Sequence, residues 1–104
     1  MATQSVTVAR IYLREGEHQQ KKVMKLLHDD GRVMGATVFQ GVAGFGPDGV
    51  MRTASLVDLS LDLPLVVEFY GEPDQMERVI DKLIQQLHLP HIVSWPALSH
   101  VPGE

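Results

Sequence analysis

Chemistry in this chain concentrates around Gly35-Ala-Thr-Val-Phe-Gln-Gly-Val-Ala-Gly-Phe-Gly46, a segment that opens from a β-rich stretch into a short polar tip, Pro47 to Arg52. Four glycines in twelve residues leave backbone amides uncovered and permit positive φ, as a loop needs when it must approach an anion or change shape. The sequence therefore places a ligand or partner site at Gly44, Phe45 and Gly46. Arg52, just before the chain becomes apolar again, can meet a phosphate or a carboxylate with its planar fork. Glu68 stands in an otherwise apolar strand, where an unpaired carboxylate is costly and tends to acquire a partner or a proton. Arg10, in the first apolar stretch, is the candidate partner.

Two further patterns invite chemistry and carry less. His88 and His91 make a His-x-x-His spacing near His100, but metal sites need three or four convergent ligands and Pro90 signals that the helix has already ended. No metal is assigned. The pairs Asp29-Asp30 and Asp58-Asp62 read as a helix end and a loop rather than an acid/base pair. There is no Walker-type Gly-Lys-Ser/Thr and no Ser/His/Asp order. The sequence predicts no enzyme and no catalytic residues.

These residues need a scaffold, and 104 residues provide one domain, 1–104, with an ordered core over about 6–99. An apolar share of 44% with 21% charged residues is that of a globular chain. A formal charge of −4 offers no basic footprint for nucleic acid or anionic lipid. No apolar run is long enough to span a bilayer, and Met1 to Arg10 lacks the apolar core of a signal peptide, so the expected location is cytoplasmic. With no cysteine, disulfides, thiolate metal sites and thiol nucleophiles are excluded.

Val6 to Leu13 reads as a strand with Val6, Val8 and Tyr12 on one side and Ala9, Ile11 and Leu13 on the other, both faces buried. From His18 to Asp30, Val23, Met24, Leu26 and Leu27 form one helical stripe that Gly31 terminates. Ala36 to Val42 and Leu63 to Tyr70 are the next strands, and Thr53 to Leu59 extends one arm of the hairpin. Pro73 opens a second helix whose apolar positions Met76, Val79, Ile80, Leu83, Ile84 and Leu87 keep helical spacing. His91 to Leu98 is a last strand, confined by Pro96 to an edge or a short span, and His100 to Glu104 frays. The order βαββαβ is the α+β, ferredoxin-like sandwich, with two helices on one face of a four-stranded antiparallel sheet. Strands apolar on both faces then call for a cover on the second face, for which another copy of the chain is the simplest candidate, with Trp95 at the contact.

With that order in place, Arg10-Ile-Tyr-Leu13, Gly35-Ala-Thr-Val38, Gly44-Phe-Gly46, Thr53-Ala-Ser55 and Leu59-Ser-Leu-Asp-Leu-Pro64 resemble the PII-like family catalogued as domain of unknown function 190, over about Val8 to Leu98. The resemblance implies a homotrimer with nucleotides bound between subunits at the base of a projecting, partner-binding loop, the T-loop. It implies a ligand site at Gly44, Phe45, Gly46 and Glu68, with Val66 and Tyr70 as an apolar slot for the base, to which the reading of Arg52 as a phosphate partner adds a cation. It implies a partner-binding tip at Pro47, Asp48, Gly49, Val50 and Met51, directed at a protein such as a membrane transporter or channel. Pro47-Asp48 departs from the Arg-Gln of the signalling proteins, and Gln85 to His91 lacks their basic phosphate loop. AMP or ADP is therefore expected rather than tightly held ATP. A tip without tyrosine has no uridylylation switch. The resemblance leaves two alternatives: a metal-binding trimer like the copper-tolerance protein of the same architecture, using His88, His91 or His100, and a structural trimer without ligand.

Overall fold

The computed structural model describes residues 2–53, 62–89 and 92–102. Strand β1 (Ala2–Arg14) leads through a 3-10 turn (Glu15–Glu17) into helix α1 (Gln20–Asp29), and β2 (Gly35–Gln40) follows. A two-residue pair, β3 (Ala43–Gly44) and β4 (Arg52–Thr53), closes a loop before β5 (Pro64–Gly71), helix α2 (Pro73–Leu87) and β6 (Ile92–Val101). The four long strands form one antiparallel sheet in the order β2-β5-β1-β6. The ferredoxin-like arrangement expected from the sequence is present.

Alternation along the strands decides what is buried. Ala9, Ile11 and Leu13 of β1 and Leu65, Val67 and Phe69 of β5 point to the helices, where Val23, Leu26 and Leu27 of α1 and Met76, Val79 and Leu83 of α2 complete the core. Ile84, placed on the apolar stripe by spacing alone, lies at its margin and is 43% exposed. The helix-facing side of the sheet is buried along its length, whereas on the other side Val6, just beyond the end of the β1–β5 pairing, is buried but the larger side chains are not. Opposite the helices, Tyr12, Phe39, Tyr70, Val93 and Trp95 remain substantially exposed, so the expectation of two buried faces fails within a single chain. Two helices cannot cover both sides.

Local chemistry fixes the ends of the helices. Glu72 caps α2, its carboxylate accepting the N–H groups of Asp74 (3.2 Å) and Gln75 (3.0 Å), with Pro73 in the first turn. α1 ends where Asp30 and Gly31 both donate to the Leu26 carbonyl. The positive φ falls on Arg32 rather than on Gly31. Gly31 is needed for space, since a Cβ there would stand 2.8 Å from the Leu27 carbonyl oxygen and 2.9 Å from Val79. Gln75 then donates its side-chain amide to the Gly31 carbonyl at 2.8 Å, tying the second helix to the end of the first.

β6 lies at a sheet edge, as Pro96 requires, but it is longer than Pro96 suggests. Its pairing with β1 runs out to Ala2 opposite Val101, whereas β1 pairs with β5 only from Thr7 onward. A two-stranded ribbon thus extends past the rest of the sheet. His100 and Val101, expected to fray, are paired in that ribbon. His91 and most of the proposed 53–59 arm lie outside the described residues.

Val67 is fully buried at the centre of β5. Val67→Asp is expected to cost at least about 3 kcal/mol, through lost apolar burial and an unpartnered carboxyl group. Chemical denaturation will show it as a loss of folded protein or a large fall in midpoint. A midpoint within error of the unsubstituted protein would contradict the buried assignment.

Candidate functional site

The loop between β2 and β5 folds back onto the start of β5. Ala43 pairs with Thr53 and Gly44 with Arg52, a short ladder from which residues 45–51 project. Gly44 allows the close approach, because a Cβ there would lie 3.1 Å from the Pro64 ring. The tip is a turn in which Gly49, at φ +70°, donates to the Gly46 carbonyl and Asp48 accepts the Val50 N–H at 3.0 Å. Phe45 is 71% exposed and packs on nothing that would bury it.

Asp62 organises the charges beneath this loop. Its carboxylate accepts the Gly16 N–H at 2.6 Å, Arg14 Nη1 at 3.0 Å and Arg52 Nε at 3.1 Å. The Gly16 N–H, then the two arginines, hold its carboxyl below the usual carboxylate range. The same segment is pinned by Glu15 N–H to the Leu63 carbonyl and Leu63 N–H to the Glu15 carboxylate. Arg14 also meets Glu17 at 3.3 Å. On its other edge Arg52 grips the loop tip, donating to both oxygens of Asp48 (3.0 and 3.3 Å) and to the Val50 carbonyl (3.2 Å). Its side chain is only 16% exposed. Arg52 joins loop to body.

Between this network and the sheet lies a cavity of about 500 Å³, the size of a small-molecule site. Its walls are mainly apolar, with Tyr12, Val66 and Pro64 from the sheet and Phe45 from the loop, and Arg14 and Arg52 supply polar groups at its edge. The structure thus brings Gly44, Phe45, Gly46, Pro47, Asp48, Arg52 and Val66 together at one cavity. Gly49, Val50 and Met51 belong to the tip beyond its walls. Glu68 and Tyr70 sit further along β5. Glu68 accepts from Arg10 Nε at 2.9 Å, the partner anticipated from the sequence, and Arg10 lies over the Trp95 ring, 5.7 Å from its centroid. Tyr70 packs beside Gly35, where a Cβ would come within 2.9 Å of its ring. Among the described residues no three His, Asp or Glu side chains converge as metal ligands, and His91 is outside them.

Tyr12, Arg14, Glu17 and Asp62 are the members of this site that sequence reasoning missed. Asp62 had only the look of a loop carboxylate, and Arg14 that of a charged strand end. Nothing in their spacing signals that residues 48 positions apart share a hydrogen bond.

Comparison with known proteins places the chain among relatives. Residues 6–98 match the model of the family DUF190, "Uncharacterized ACR". A UPF0166 protein of Methanocaldococcus jannaschii is 36% identical over 83 residues, 75% of each chain, and a UPF0166 protein of Aquifex aeolicus is 33% identical over 67 residues, 64% of this chain and 68% of that one. Among solved structures, CPII of Thiomonas intermedia K12, a PII-like protein bound to ADP and bicarbonate, superposes with TM-score 0.67 at 16% identity, covering 96% of this chain and 91% of CPII. A PII-like signalling protein of Thermus thermophilus gives 0.63 at 12% identity, over 95% of this chain and 91% of that one. The divalent ion tolerance protein CutA1 of Ehrlichia chaffeensis gives 0.58 at 8% identity, over 95% and 85%. At these identities the structures show a shared fold. No helix among the described residues is long and apolar enough to cross a membrane.

The clip between loop and body has a defined pH window. Arg52, and then the Val50 N–H, lower the Asp48 carboxyl from 3.8 to about 2. A depressed carboxyl contributes fully above its unfolded value, and the contribution is lost as pH falls through the folded one. Amide protection factors at Gly49 and Val50 are expected to hold from pH 7 down to about 4 and to fall between there and pH 2. A loss already complete at pH 5 would show that the Asp48 carboxylate does not hold the tip.

Proposed function

Because the chain belongs to the DUF190 family and has the PII-like fold, we propose that it is a trimeric regulator that binds AMP or ADP at the base of the 44–53 loop and signals to a protein partner through the loop tip. The observation that carries this reading is the cavity whose walls come from both the sheet and the loop, so that its occupancy and the loop arrangement cannot be independent. Tyr12, Arg14, Pro64 and Val66 belong to the sheet face that the helices leave bare. A second copy laid on that face would wall the cavity on its open side, which makes the site one between subunits. CPII, solved with ADP, is support of the same kind at the level of the fold.

Phe45 and Tyr12 offer aromatic surfaces for a base, and the arginines offer donors for a phosphate. Glu68 and Tyr70 are assigned to the face between subunits, where Arg10–Glu68 and Trp95 mark the centre of the contact. Pro47, Asp48, Gly49, Val50 and Met51 are the tip presented to a partner, a membrane transporter or channel being the class proposed.

Calorimetric titration with AMP, ADP, ATP and cyclic AMP, with copper and zinc in parallel, tests the ligand. One AMP or ADP per subunit is expected, weakened at least about tenfold by Arg52→Ala. Flat nucleotide traces with saturable copper or zinc binding would transfer the assignment to the metal alternative. Light scattering tests the assembly. Tyr12→Asp, exposed in one chain but central to the bare face, should lower the molecular mass while leaving circular dichroism unchanged. Deleting residues 47–50 should leave the mass unchanged, and a trimer that falls apart on that deletion would mean that the loop joins subunits instead of reaching a partner.

A further inference from the structure

We infer that Arg52 is an exchange latch: an anionic ligand entering the cavity takes the Nη edge of its guanidinium from Asp48, and the loop tip is released. The inference rests on the nucleotide reading above and adds how occupancy reaches the loop. An arginine presents two edges in a rigid plane. The Nε edge of Arg52 faces Asp62, and the Nη edge faces Asp48 and the Val50 carbonyl. The two sides are unequal. Asp62 has three donors, one of them a backbone N–H at 2.6 Å, and its side chain is 29% exposed, whereas Asp48 is 48% exposed on a turn. Asp62 is the fixed anchor and Asp48 the exchangeable partner.

Charge counting makes exchange the route an anion must take. Arg14 and Arg52 bring two positive charges to the cavity edge, while Glu17, Asp48 and Asp62 bring three negative ones, all within ion-pair distance of those arginines. Among the described residues no cation there is without a carboxylate partner. An anion that simply added itself would meet excess negative charge; one that replaces Asp48 regains the bidentate contact and leaves the Asp48 carboxylate hydrated at the surface. Among the described residues, every polar link from residues 47–50 to the body of the domain passes through Arg52. Loss of that contact therefore frees the tip. The apolar cavity supplies the binding energy for the rest of the ligand.

Removal of a carboxylate from the site should then strengthen binding. Asp48→Ala, and Asp48→Asn as the milder variant, are expected to bind AMP or ADP about two- to fivefold more tightly than the unsubstituted protein, the scale of one exposed ion pair. In the free variants the amides of residues 49–51 should exchange as fast as they do in the nucleotide-saturated unsubstituted protein. If the unsubstituted protein binds nucleotide and neither variant binds it more tightly, the latch is wrong and the nucleotide reading stands. If nucleotides bind to none of the three but pyrophosphate binds the variants more tightly than the unsubstituted protein, the latch stands and the nucleotide reading falls. Binding of neither nucleotide nor pyrophosphate to any of the three removes both.

Discussion

Two helices can cover only one face of a four-stranded sheet, and every other feature of this protein answers to that limit. The strands alternate, so the side chains of Ala9, Ile11, Leu65, Val67 and Phe69 are committed to the core and those of their neighbours to the opposite face. There the chain places Tyr12, Phe39, Tyr70, Val93 and Trp95, too apolar to be a face meant for water alone. At its centre the Arg10–Glu68 pair, with Trp95 beneath the guanidinium, keeps charge on an otherwise apolar surface satisfied within one chain. An ion pair of that kind, partly open to solvent, contributes little net stability.

The loop site borrows its rigidity from the same sheet. Asp62 leads into β5, the end of β1 supplies Arg14 and the turn after it Gly16, so the neighbouring strands β1 and β5 hold the anchor from both sides. What hangs from the anchor is the 45–51 loop, which has no apolar core of its own and is held through one arginine. Such a segment lies at the low end of the protein's stability range, which is where elements that change arrangement on binding are found.

Much of the architecture was legible from sequence because periodicity is local. The stripe Met76, Val79 and Leu83 with Pro73 at its start gives α2, and alternation in β1 and β5 gives the sheet. The limits of β6 were not legible, since a proline suggests a short strand, while Thr7 opposite Pro96 shows an edge strand continuing past it. Glycines in a loop suggest conformational freedom, but among those of residues 41–49 only Gly49 has positive φ. Gly44 serves close packing against Pro64 instead, a requirement that exists only once β5 is in place.

Sequence by itself determined the elements, their order, the apolar stripes of the two helices and the position of the loop, because each follows from residues within a few positions of one another. Only the tertiary structure decided which charges meet. Arg10 finds Glu68 across 58 positions and Arg14 finds Asp62 across 48, and the register of β1 against β5 makes both pairs at once. Glu68, the most conspicuous charge in the sequence, accepts from Arg10 on the sheet face, while Asp62, to the eye an ordinary loop residue, draws Gly16, Arg14 and Arg52 together beneath the loop. The physical reason is that a carboxylate's role depends on the donors brought within about 3 Å of it, and those donors come from strands that only folding makes neighbours.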